Sequence, residues 1–389
     1  MNILIAPDSF KGSLSAAEFC NIAERVLQNY SDFIIACYMP LADGGEGTIE
    51  AVQTFLETRK ISVKVHNAIG IRTTASYIFI DEHQIDNPYG KATAIIEMAQ
   101  ACGLPDIPLL KRNPMKTSTF GLGELIKHAL DTGAQHLIIG LGGSATNDGG
   151  TGMLSALGVQ FFNKDGQAII PAGAMLEQID KINTGHLDPR LKDCTITIAS
   201  DVTNPLLGEQ GATRVFAPQK GADSQMIETL EKGMASYAHK TVQTLGLSDK
   251  LYNTPGTGAA GGLGFALLAY LNAEIQSGFE LLAELSGLDK LLANADTRPD
   301  MIITGEGHFD QQSLGGKLTG CLIKRAEQYH IPVKIICGDY SRGIEQNLNS
   351  TIQLISLKDK DIPLEQAISD SAQLLEQKLS ELIRLIHAG

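Results

Sequence analysis

The stretch 136–157 constrains this chain more than any other. An apolar run, His136-Leu137-Ile138-Ile139, reads as a buried strand. It passes through GLGGSATNDGG at 140–150 into 151–157, which reads as a helix. A strand, a glycine turn and a helix start together make an anion site. Glycines let backbone N–H groups approach a phosphate closely, and the helix N-terminus adds positive potential. On this reading Gly142, Gly143, Ser144, Thr146 and Asn147 are phosphate-binding candidates, and Asp148 offers a carboxylate for Mg²⁺ or a proton. The alternative is a tight turn that only needs positive φ.

The 389 residues leave room for two or three domains. Residues 2–6 read as the first strand. Ser15 with Glu18 forms a capping box, and Phe19, Ile22, Ala23, Val26 and Leu27 share one helical face. A strand at 33–39 and a helix to about residue 56 follow, and a βαβα beginning implies a parallel, doubly wound sheet. From about residue 61 short strands with short connections predict a mixed sheet. Further on, 224–245 reads as a helix closed by Gly246. Alternation returns with strands at 301–304, 333–337 and 351–357 and a final helix. The two ends of the chain are therefore expected to build one α/β domain, 1–66 with 288–389, and 67–287 to form an inserted second α/β domain.

With 44 acidic against 31 basic residues the net charge is −13, which argues against a nucleic-acid partner and requires a local Lys/Arg cluster for any anionic substrate. The longest apolar run, 265–271, is far too short to span a membrane. No basic segment precedes the first strand, and six cysteines without a CxxC pair read as reduced thiols of a cytoplasmic protein. The histidines show no zinc spacing.

Asp8, Asp43, Asp201 and Glu306 each fall just past the carboxyl end of a predicted strand, the edge at which open α/β sheets bind ligands. Asp201 is read as a general base for an alcohol or as a Mg²⁺ ligand, against an Asx-turn or N-cap. Lys11, beside Ser9, and Lys220 and Lys317 lie in glycine- or serine-rich loops and suit phosphate or carboxylate as point charges; Arg72 is a further candidate. The loop at 305–310 holds Glu306, His308 and Asp310, available to metal or substrate, although a surface loop explains His308 equally. Residues 256–261 match GxGxxG, with Gly258 and Gly261 as phosphate candidates, but 250–254 is a poor strand for a dinucleotide fold. Neither a Walker A pattern nor the protein-kinase signature set occurs.

As a set, APDSFKGSLSA at 6–16, PLADGGEGT at 40–48, GLGGSATNDGGTGML at 140–154, SDVTNPLLGEQGA at 200–212, FAPQKGA at 216–222, GTGAAGGLG at 256–264, ITGEG at 303–307 and GGK at 315–317 span nearly the whole chain. The chain thereby resembles the type I glycerate kinases of bacteria. The resemblance implies a split flavodoxin-like, doubly wound parallel-sheet domain with an inserted second α/β domain of mixed sheet. It also implies ATP- and Mg²⁺-dependent phosphorylation of D-glycerate in an interdomain cleft, 2-phosphoglycerate being the favoured product. The expected catalytic residues are Asp201, Lys11 and Asp43. Ser9, Lys11, Arg72 and Lys317 are expected on the substrate, and Asp148, Asp201, Glu306 and Asp310 on the metal. A monomer or homodimer with no membrane partner is expected. The family pattern departs at His308-Phe309-Asp310-Gln311-Gln312, usually Arg-Ile-Asp-Gly-Gln, and at Gly315, often His; Asp310 and Lys317 are retained. Two rival functions are an oxidoreductase on the same α/β edge and a sensor of a phosphorylated metabolite.

Overall fold

The computed structural model describes residues 1–10, 12–358 and 362–388. The first strands along the chain are β1 (Asn2–Ile5), β2 (Ile35–Tyr38), β3 (Arg59–His66), β4 (Arg72–Ile80), β5 (Thr93–Glu97), β6 (His136–Gly140) and β7 (Gln160–Phe162). They continue as β8 (Lys181–Asn183), β9 (Thr195–Ala199), β10 (Glu274–Gln276), β11 (Met301–Phe309), β12 (Val333–Tyr340) and β13 (Ile352–Ser356). The chain forms two compact units. One comprises Met1–Asp43, Glu50–Glu57 and Gly278–Gly389, the other Gly44–Ile49 and Thr58–Ser277.

The first unit holds a five-stranded sheet in the order β13-β12-β11-β1-β2, every pair parallel. Counted within the sheet this is 2-1-3-4-5, the flavodoxin-type order, whose switch point lies between β1 and β11. The central strands β1, β11 and β12 are largely apolar and buried because both faces are covered, whereas the edge strand β2 is half exposed. Ile3, Ile5, Ile303 and Ile336 pack on one face with the helices Ala16–Gln28 and Ser371–Ala388. Leu4, Ile302, Val333 and Ile335 pack on the other with Gly278–Ser286 and Leu318–Gln328. The Ser15–Glu18 capping box forms as its spacing predicts.

The second unit carries a six-stranded sheet, β10-β9-β6-β5-β4-β3, in which β10, β9, β6 and β5 run parallel, β4 pairs antiparallel with β5, and β3 pairs antiparallel with β4. β5 and β6 are buried throughout. The helix Phe120–Asp131 packs Leu122, Leu125 and Ile126 into one continuous core with Leu137 and Ile139. Asp223 caps the helix Ser224–Leu245, and Gly246 ends it at φ +66°.

The compact units part at 57/58 and 277/278, where the sequence reading set 66/67 and 287/288. β3 pairs antiparallel with β4 from Arg59↔Phe79 to His66↔Arg72, and Phe279 and Ala283 belong to the first unit's core. The strand expected to stop at 304 runs on to Phe309, pairing with β12 as far as Phe309↔Tyr340, so Glu306 and His308 sit on a strand rather than in a loop. The helix Ala259–Leu271 opens with Ala260, Gly261 and Gly262 at φ +53°, +67° and +86°, a left-handed turn that keeps the regular helix from starting until after it. Among the described residues no helix is long and apolar enough to cross a membrane.

Candidate active site

In the second unit three glycine segments meet by close backbone approach. A Cβ on Gly142 would strike the Gly45 α-carbon, and one on Gly261 would strike the Thr146 carbonyl oxygen. These positions tolerate no side chain, so segments 44–46, 140–149 and 256–262 form one backbone surface. The loop 140–150 is tied on its far side as well. Leu104 N–H donates to the Gly143 carbonyl at 2.8 Å, and Ala145 N–H to the Cys102 carbonyl at 2.9 Å. Among the described residues no hydrogen bond engages the backbone N–H groups of Gly142, Gly143, Thr146 or Asn147. Of these, Gly143 is exposed and Gly142 half-buried, which leaves their donors within reach of an anion, whereas Thr146 and Asn147 are wholly buried.

The side chains behind this surface are buried. Asp148 lies wholly inside. Its Oδ2 accepts from Thr119 N–H (2.8 Å), Thr119 Oγ1 (2.9 Å) and Gly152 N–H (3.2 Å), and its Oδ1 from Gly150 N–H (3.2 Å). Burial pushes its carboxyl above the usual range against the pull of those donors. So engaged, Asp148 braces the loop onto the helix Thr151–Ala156 and does not present its oxygens to a metal. Asn147 Nδ2 donates to Thr213 Oγ1 at 3.1 Å. Lys220, 1% exposed, donates from Nζ to Ser144 Oγ at 2.9 Å and to the Thr146 carbonyl at 2.6 Å. Burial lowers its pKa to about 7, with Asp148 opposing.

Asp201 follows β9 and is exposed. Its loop runs beside the second glycine segment, where Gly258 N–H donates to the Asn204 carbonyl at 3.0 Å. The segment before that GxGxxG is the 3₁₀ turn Asp249–Asn253, so the strand a dinucleotide fold needs is replaced by a turn. Arg72 is engaged at the start of β4, bonding the Lys64 carbonyl and pairing with Glu124 at 3.5 Å. Glu97 was missed. It ends β5 opposite Gly140, is buried, and its Oε1 accepts from Ile49 N–H at 2.8 Å. The rule that singled out Asp201 and Glu306, a carboxylate at the end of an apolar strand, finds it too.

In the first unit the switch point gathers a second set. Asp8 N–H donates to the Gly305 carbonyl at 2.8 Å, and Ser9 N–H to Asp8 Oδ1 at 2.6 Å. Glu306 is buried, its Oε2 accepts from Ser313 Oγ at 2.8 Å, and its Oε1 has no hydrogen-bond partner among the described residues. Burial raises its pKa, opposed by the Ser313 hydroxyl, then by the nearby Thr319 hydroxyl and by the positive charge of Lys317. Asp310 caps the short helix Gln311–Leu314, and the Ser313 and Gln312 N–H groups hold its carboxyl below the usual range despite some burial. Lys317 is exposed at the start of Leu318–Gln328. His308, where the family pattern has arginine, bonds Ser341 Oγ at 3.2 Å. Asp43 is exposed at the end of the first unit's opening segment. Lys11 lies outside the described residues.

Open backbone donors on a glycine surface and acidic strand ends at a flavodoxin-type switch point are the parts of a small-molecule phosphotransferase. A model of the glycerate kinase family matches residues 3–387. The chain is 39% identical to the glycerate kinase of Bacillus subtilis (strain 168), covering 98% of this chain and 97% of that one. It is 42% identical to the glycerate 2-kinase of Escherichia coli (strain K12), over 88% and 87%. A crystal structure from Salmonella typhimurium LT2, provisionally named glycerate kinase 2, superposes with a TM-score of 0.84 at 38% identity, covering 100% of this chain and 99% of that one. The chain belongs to the glycerate kinase family.

Proposed function

We propose that this enzyme transfers the terminal phosphoryl group of ATP to a hydroxyl of D-glycerate by in-line displacement, with 2-phosphoglycerate as the favoured product. The observation that carries this reading is the pair of unpaired N–H groups at the half-buried Gly142 and the exposed Gly143, on a loop whose following residues, Thr146 and Asn147, are buried. Such a loop takes phosphate oxygens, and preorganised donors stabilise charge without reorganising as it develops. Gly258 and Gly261, buried against the Pro205 and Thr146 carbonyls, are kept as further phosphate candidates. The 2-phosphate preference rests on the name of the Escherichia coli relative.

Asp201 is the proposed base, exposed on a loop beside the glycine surface, where a carboxylate can take the proton of the attacking hydroxyl. Ser9 and Lys317 are proposed for the glycerate carboxylate, with Lys11 by motif alone. Asp43 and Arg72 are kept as further candidates. The chemistry of the donor set fits Mg²⁺, which needs only one or two carboxylates beside substrate phosphates. Glu306, whose Oε1 has no hydrogen-bond partner among the described residues, and Asp310 are the candidates to hold it in the first unit, and Asp201 is the candidate in the second. Bound there, it would neutralise phosphate charge.

The test is ³¹P NMR of purified protein with ATP and Mg²⁺, with and without D-glycerate. A glycerate-dependent phosphomonoester signal is expected, and its proton coupling separates the 2- from the 3-phosphate. Folded protein that yields no such signal overturns the reading. Asp201→Asn is expected to lower kcat by about 10²–10⁴-fold, the usual range for a general base; turnover near that of wild type would remove Asp201 from the role.

A further inference from the structure

The best-buried cation of the second unit sits behind the glycine surface. Lys220 lies on the 3₁₀ turn Pro218–Lys220, closed by Gly221 at φ +94°. A side chain on Gly221 would run into the Arg112 backbone, so the turn is held against 112 as well. From this fixed base the ammonium reaches Ser144 Oγ and the Thr146 carbonyl. The Thr146 carbonyl is also where Gly261 packs, so one charge pins the junction of two glycine segments. In a trans peptide the carbonyl and the following N–H point in opposite directions. Holding the Thr146 carbonyl toward Lys220 therefore fixes the orientation of the buried 146–147 peptide, and the bond to Ser144 fixes the residue next to the exposed Gly143.

A lysine that contacts phosphate directly needs its ammonium at the ligand surface, whereas this one is 1% exposed with two protein acceptors. Burying an ammonium is costly, and an apolar side chain would fill the same slot without that cost. The cost is explained if the charge shapes the loop. We infer that Lys220 is a positioning residue that orients the loop 143–147 to receive the phosphates of ATP and does not itself touch them. This rests on the function proposed above and replaces the direct phosphate contact expected of Lys220 from sequence.

Acetylation of the wild-type enzyme with a water-soluble N-hydroxysuccinimide ester, mapped by mass spectrometry, tests the point without a variant. Lys220 is expected to stay unmodified with or without ATP and Mg²⁺, while exposed lysines such as Lys317 react. Labelling of Lys220 that ATP suppresses would overturn the inference. Lys220→Met is expected to raise KM for ATP about tenfold or more, as loss of a charged hydrogen bond does. KM for glycerate should stay within about twofold on the same constants, and hydrogen exchange across 143–147 should quicken. Lys220→Gln, which keeps an N–H donor, should recover part of the loss. An unchanged KM for ATP in folded Lys220→Met would overturn the inference, and if that variant does not fold, the labelling result decides. Failure of the kinase reading is separate, since it appears as wild-type protein without glycerate-dependent phosphorylation.

Discussion

At the scale of single residues, the carboxylates divide by what their oxygens already do. Asp148 is used up inside the protein, whereas Glu306 keeps one oxygen without a partner. Asp148→Asn should therefore act mainly on stability. Removing one member of a buried charged network costs about 2–4 kcal/mol, measurable as a lower urea midpoint at unchanged slope. Glu306→Gln should leave stability nearly intact and lower kcat. A Glu306→Gln enzyme that turns over normally would exclude the carboxylate from both metal and substrate. Lys220 shows why residue type alone misleads. A lysine beside glycine suggests a phosphate contact, and its burial against Thr146 is the observation on which the proposed positioning role rests.

At the scale of elements, the glycine loop depends on segments remote in sequence. Gly261→Ala combines a positive φ with a clash on the Thr146 carbonyl. It should cost about 1–3 kcal/mol and raise KM for ATP, read by denaturation and steady-state kinetics together. The strand β6 that launches the loop carries its own pH sensitivity. His136 is buried on it, with Nε2 2.9 Å from Thr197 Oγ1, and burial lowers its pKa to about 4, helped by the Lys91 charge. The unfolded imidazole titrates near 6.5, so between 6.5 and 4 the unfolded state binds more protons and stability falls as pH drops. The contribution, present above about 6.5 and gone below about 4, is on the order of 3 kcal/mol. Denaturation midpoints from pH 7 to 4 should fall less in His136→Gln than in wild type.

At the scale of the whole molecule, the two units have separate cores. One continuous cluster fills the second unit, and two clusters flank the sheet of the first. Unfolding is expected to depart from a single two-state transition, with a calorimetric enthalpy above the van't Hoff value. Equal enthalpies in scanning calorimetry would show that the units melt as one.

Local chemistry was readable in advance. The Ser15–Glu18 box, the Asp223-to-Gly246 helix and the strand–glycine–helix unit around 140–150 depend on neighbours a few residues apart. The alternation of apolar runs likewise announced a parallel sheet and an inserted mixed one. What failed depended on distant partners. Gly305 and Gly307 look like loop punctuation, yet they lie on β11. A side chain on Gly305 would meet the Ile336 carbonyl oxygen of β12, a neighbour nothing local reveals. Likewise the sequence by itself determined that glycines at 140–150 could face an anion. Only the tertiary structure decided which atoms stand behind them, because burial of Lys220 and Asp148 and the packing of Gly45 and Gly261 on that loop are long-range contacts with no signature in spacing.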